Sequence, residues 1–137
     1  MLQKLHQNRE GFTLVEIMIV VAIIALLAAI AVPNFLRARK RSQATRILED
    51  LRLIDSAQDQ YAIETNKPAG ATVQWTDIQS YLKTNSLLYN SGGFDMLGNQ
   101  YNDGAGFSVD SIPTVSTATF AALSDVAPSD FWSPFGG

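Results

Sequence analysis

The chain has 137 residues, a net charge of −3 and no cysteine, and 47% of it is apolar. That length accommodates one membrane helix and one soluble domain of about 100 residues. Disulfide staples and thiol chemistry are excluded, and His6 is the single histidine available as a general base or metal ligand.

Residues 1–11 are polar, with Lys4 and Arg9 as their positive charges. Residues 12–36 are mostly apolar, and Glu16 carries their single charge. A membrane-spanning helix needs about 20 mostly apolar residues, so this run is long enough to span with some tilt. A carboxylate at the centre of such a helix costs about 2.5–3.5 kcal/mol, and less towards its ends. Glu16 is therefore expected to have a partner that balances its charge. Pro33 falls inside the same run. It removes one intrahelical hydrogen bond, so a kink is expected there.

Gly11-Phe12-Thr13-Leu14-Val15-Glu16, following a short basic leader and opening a long apolar run, resembles the processing site of type IV prepilins and type II secretion pseudopilins. The resemblance covers roughly residues 9–41. It implies a leader, 1–11, removed by a membrane prepilin peptidase between Gly11 and Phe12, and N-methylation of Phe12 by the same enzyme. It implies that Glu16 pairs with the N-terminal amine of a neighbouring subunit. It also implies an inner-membrane protein with its leader in the cytoplasm and its head in the periplasm. That protein would polymerise with itself and other pilin-like subunits into a periplasmic or cell-surface filament, driven by an assembly ATPase and a platform protein. Pro33 matches a proline of the family's helix.

Two readings of this segment compete with the resemblance. An ordinary signal peptide has a basic start, an apolar stretch and an A-x-A cleavage site. Ala29-Ile30-Ala31 fits that pattern, which would release a soluble or tethered binding module starting at Val32. The positive-inside rule, taken alone, puts the head in the cytoplasm, because Arg37, Arg39, Lys40 and Arg41 outnumber the positive charges of the leader. With Arg46 and Arg52 these residues form a basic neck. Beyond Leu53 only Lys67 and Lys83 oppose nine acids. The neck fits anionic lipid headgroups or acidic neighbours. A basic cluster alone does not establish phosphate contacts, and no nucleic-acid partner is expected.

From 44 to 62 the apolar residues Ala44, Ile47, Leu48, Leu51, Ile54, Ala57, Tyr61 and Ala62 recur at spacings of three and four, the period of an amphipathic helix. Asn66, Lys67 and Pro68 end it, because proline cannot continue a helix. The expected fold class is α+β: a long N-terminal spine helix, half transmembrane (12–36), with a small antiparallel sheet head packed on its second half (37–137). Thr76 and Gln79 have capping-box spacing and predict a short helix to about Lys83. Residues 90–93 read as a turn. Asp95, Leu97, Gly98 and Tyr101 resemble a head motif of major pseudopilins. Residues 97–101, 106–111 and 114–117 are expected strands, with Asn102-Asp103-Gly104 as a turn between the first two. The aromatic tail, 131–135, is expected to pack on the head.

No catalytic constellation is found, and the chain is read as a structural subunit and not an enzyme. No cofactor is required. The resemblance to major pseudopilins implies calcium as a candidate ligand, for which Asp110, Asp125 and Asp130 offer oxygens, although their spacing matches no calcium loop. A binding module would instead expose Trp75, Tyr81 and Trp132 together.

Overall fold

The computed structural model describes residues 11–136. Its elements in order are α1 (Leu14–Thr65), β1 (Thr72–Val73), α2 (Trp75–Gln79), α3 (Leu87–Asn90), β2 (Phe107–Ser108) and α4 (Thr117–Leu123). Two short 3-10 turns, Tyr101–Gly104 and Ser129–Trp132, complete the set. The chain divides into two compact units at the Leu36–Arg37 junction, and α1 runs through both.

In the first unit every side chain of α1 is exposed, and the helix is long and apolar enough to cross a membrane. Pro33 lies within α1 without ending it. It leaves the Ala29 carbonyl without its usual intrahelical donor.

In the second unit the expected stripe is the buried one: Ala44, Ile47, Leu48, Leu51, Ile54, Ala57 and Tyr61 face the core. α1 stops at Thr65, and Asn66 takes a left-handed conformation at φ 48°. Asparagine tolerates that geometry, which closes many helices. Against this face pack Val73 from β1, Ile78 from α2, Leu88 from α3, Phe107 and Val109 around β2, and Leu123 from α4. The aromatic tail completes the core. Trp132 is fully buried, its indole N–H donating to the Ala127 carbonyl at 3.2 Å, and Phe135 is buried beside it.

The fold class is α+β as expected, but of the expected strands only 106–111 contains one, the short β2. The sheet is one antiparallel pair, Thr72 opposite Ser108 and Val73 opposite Phe107. Its first strand, β1, lies outside all the expected strands. Val109 N–H donates to the Ala71 carbonyl and Gly70 N–H to the Val109 carbonyl, both at 2.9 Å, extending the pairing by bonds outside the strands.

Residues 97–101 form no strand. Asp95 folds this stretch back on itself by accepting from the amides of Leu97 and Asn99 at 2.8 and 3.0 Å. Only an isolated bridge between Phe94 and Gln100 remains. Residues 114–117 are not a strand either. Val115 N–H donates to the Phe135 carbonyl at 3.0 Å, and Thr117 already begins α4.

The first short helix starts at Trp75 and stops at Gln79, earlier at both ends than expected. Asp77, not Gln79, supplies the capping carboxylate, accepting from Gln74 N–H at 2.9 Å. α3 lies just before the expected turn at 90–93 and overlaps it at Asn90. It is capped by Ser86, whose hydroxyl accepts from Tyr89 N–H at 3.1 Å.

Candidate functional site

The residues singled out at the start of the apolar run sit together on the first turn of α1. Gly11 and Phe12 precede the helix, and Phe12 is 82% exposed. Thr13 and Glu16 hold the turn reciprocally. Thr13 Oγ1 accepts from the Glu16 amide at 3.2 Å, and Glu16 Oε2 accepts from the Thr13 amide at 3.4 Å. This is a capping box, in which a hydroxyl and a carboxylate satisfy amides that the helix leaves free.

Thr13 is the residue that reading the sequence for charge missed. The Thr-x-x-Glu spacing before an apolar run was the available signal. The box fixes the Glu16 carboxylate at the amino end of the helix, where the macrodipole favours negative charge. It uses one carboxylate oxygen and leaves the group exposed beside Phe12. An ammonium group presented at that end would meet a carboxylate already oriented to receive it. Residues 1–10 of the expected leader lie outside the described residues.

The head contains a second polar centre, buried beneath its loops. Asp95 is buried and accepts from the Thr119 hydroxyl as well as the two amides named above. Asn99 Nδ2 donates to Thr119 Oγ1 at 2.9 Å, closing the network. Tyr101 is buried next to it, and its hydroxyl lies 3.5 Å from Asp50 Oδ2 on α1. Burial, reinforced by the nearby charges of Asp50 and Asp95, pushes the Tyr101 hydroxyl far above the ordinary phenol range. Burial also raises Asp50, while Arg46 and the Tyr101 hydroxyl pull it back. Each donor in this centre is committed to a neighbour within the fold, and the arrangement pins loop to helix. Asp95, Gly98 and Tyr101 of the expected head motif all belong to this structural centre, with Gly98 at φ 84° closing the Asp95 loop.

Among the described residues, no three His, Cys, Asp or Glu side chains converge on a point that could hold a metal. Asp110, Asp125 and Asp130 are engaged separately or exposed. Asp110 sits at φ 65° on the surface, Asp125 pairs with Lys40 Nζ at 3.1 Å, and Asp130 accepts from the Ser129 hydroxyl at 3.2 Å.

The aromatic residues of the binding-module reading do not form an exposed cluster. Trp132 is buried, Trp75 leans on Phe107 and on Gly93, and the Tyr81 hydroxyl donates to Glu64 Oε2 at 2.5 Å. A β-carbon at Gly93 would touch the Trp75 ring at 3.4 Å, and its φ of 91° disfavours any other residue.

Comparison with known proteins bears on the same first turn. The family model described as "Prokaryotic N-terminal methylation motif" matches residues 6–32. The chain is 31% identical over 116 residues to a fimbrial protein of Pseudomonas aeruginosa, covering 84% of this chain and 73% of that one. It is 47% identical over 60 residues to a type IV wide pilus major component of Thermus thermophilus, covering 44% of this chain and 46% of that protein. It is 33% identical over 62 residues to a type II secretion system core protein G of Klebsiella michiganensis, covering 45% of this chain and 44% of that one. The match thus spans less than half the length of the Thermus and Klebsiella proteins. No solved structure matches significantly.

Proposed function

The chain belongs to the type IV pilin family, whose members carry the prokaryotic N-terminal methylation motif, and from that premise we propose that it is a structural subunit of a helical filament. The observation that carries this reading is the coincidence of the motif with the exposed, capped first turn of α1. In the proposed sequence of events, prepilin peptidase cuts between Gly11 and Phe12 and methylates the new amine of Phe12. The subunit then waits in the inner membrane through residues 12–36, with its head outside. Glu16 pairs with the Phe12 amine of a neighbouring copy, which offsets the cost of keeping a carboxylate in an apolar segment. Heterologous contacts of this kind build open helical polymers.

The apolar helices of successive copies bury one another. Pro33 supplies the point where α1 yields as they pack, because one of its hydrogen bonds is already missing. A cytoplasmic ATPase and a membrane platform protein supply the work of extension. The fimbrial similarity extends over 116 residues of this chain and the secretion-system similarity over 62, which supports a pilus over a secretion pseudopilus.

Two experiments test the reading. The N-terminal peptide of membrane protein from the native host is expected to begin at methylated Phe12. A start at Val32 would replace the proposal with a secreted domain. Glu16→Gln separates charge from capping, because glutamine can still complete the box with Thr13. We expect this variant to keep its helix by circular dichroism and to be lost from sheared filament fractions. Full incorporation would remove the proposed charge pairing.

A further inference from the structure

We propose that Arg37 and Arg41 form a binding site for the phosphate of an anionic phospholipid headgroup. The observation behind it is a division of labour within the basic neck. Lys40 is committed inside the fold: its Nζ donates to both oxygens of Asp125, at 3.1 and 3.2 Å, tying α1 to the segment after α4. Arg52 lies 3.9 Å from Glu49 on its own helix. Arg37, Arg39 and Arg41 are exposed and, among the described residues, have no carboxylate within ion-pair distance.

Arg37 and Arg41 are four residues apart, so they share one face of α1. Together with Ala38, Asp125 and Val126 they line a cavity of about 390 Å³. The chemistry of that cavity selects an anion. Two arginines line it with a single carboxylate, Asp125, whose charge Lys40 already balances. Guanidinium groups bind phosphate oxygens in a paired, directional fashion that a lysine does not reproduce.

Position selects a lipid. The apolar run ends at Leu36, immediately before Arg37. From Arg37 to Arg41 the helix rises about 6 Å at 1.5 Å per residue, close to the thickness of one headgroup layer. The same charges oppose the orientation that filament assembly requires under the positive-inside rule. A headgroup site gives them a role on the outer side of the span. The inference rests on residues 12–36 lying in a bilayer, and it is independent of whether Glu16 pairs with Phe12.

The test is native mass spectrometry of the full chain, purified in mild detergent and offered equal amounts of phosphatidylglycerol and phosphatidylcholine. Retained phosphatidylglycerol is expected to exceed phosphatidylcholine at least fivefold. That excess should disappear in the double variant Arg37→Gln, Arg41→Gln and persist in Arg52→Gln. Circular dichroism should show the same helix content in all three. Equal retention of the two lipids, or an excess unchanged in the double variant, overturns the proposal. A second arm adds inorganic phosphate in place of lipid, and binding as tight as that of phosphatidylglycerol would assign the site to a free anion and overturn the lipid. A shift of the double variant to monomers without any change in bound lipid would show that the arginines contact a second copy, which also overturns it. Should the N-terminal peptide start at unmethylated Met1, the filament reading would fail while the lipid preference stands or falls on its own.

Discussion

Asp103 shows how much of the head depends on single side chains. It stands at φ 48° between Asn102 at 56° and Gly104 at 80°, a left-handed run that asparagine, aspartate and glycine tolerate best. Its carboxylate accepts from the Ser116 hydroxyl at 2.8 Å and the Thr117 amide at 2.9 Å, which ties the turn to the first turn of α4. Asn102 does the same for the segments around it, donating to the Gly106 carbonyl at 2.7 Å and accepting from the Thr114 amide at 2.5 Å. The Ser116 hydroxyl, followed by the Thr117 amide, holds Asp103 below the usual carboxylate range. Its folded pKa is therefore lower than its unfolded one. The stabilisation is present above the unfolded carboxylate range and is lost as pH falls through the folded value. Asp103→Asn should be less stable than the parent near neutral pH, and the gap should close in acid. Urea midpoints across pH 2.5–7 check this, and a gap independent of pH would mean that hydrogen-bond geometry, not charge, matters at this position.

At the scale of elements, α1 carries two different burdens in one helix. Its first half presents apolar side chains on all sides, as a membrane or filament-core helix does. Its second half has one apolar face, and that face is the floor of the head. Leu51 is fully buried on it, whereas Leu53, two residues on, is 54% exposed. Leu51→Ala should cost about 2–5 kcal/mol through lost burial and the cavity left behind. Leu53→Ala should change stability by less than about 0.5 kcal/mol. Thermal or urea unfolding of the two variants compares them directly, and similar losses would mean that the helical register is wrong. Gln58 is the polar exception on the buried face. Its amide donates to the Ser108 carbonyl at 3.2 Å, so α1 holds β2 by a hydrogen bond as well as by packing.

At the scale of the molecule, the buried apolar residues among those described all lie between Ala44 and Phe135. Removing residues 1–36 should therefore leave a protein that needs no detergent and unfolds in a single cooperative transition. Calorimetry of that fragment is the check. Broad, non-cooperative melting would mean that the apolar half of α1 contributes to the stability of the head.

The division between sequence and tertiary structure follows from the range of the interactions involved. The start of α1, its membrane-length apolar run, its buried stripe from Ala44 to Tyr61 and its end near Asn66 were legible in the sequence. Each depends on local periodicity, on a cap or on a breaker within a few residues. Glu16 was legible because an isolated charge in an apolar run stands out, while its bond to Thr13 was overlooked although equally local. The head was read less well. Thr72 and Val73 form a strand because Phe107 and Ser108, thirty-odd residues on, pair with them, and no short window contains that partner. Residues 97–101 have strand-like composition, but the Asp95 carboxylate offers their amides a closer acceptor than a neighbouring strand would. In the same way, the sequence placed Lys40 in one basic cluster with Arg37, Arg39 and Arg41, and only the approach of Asp125, eighty-five positions later, separated the structural cation from these arginines. The sequence by itself determined the helix, its apolar run and the family motif, because those are short-range. Strand pairing, the buried Asp95 network and the division of the basic neck were decided by contacts that exist only once the chain has folded.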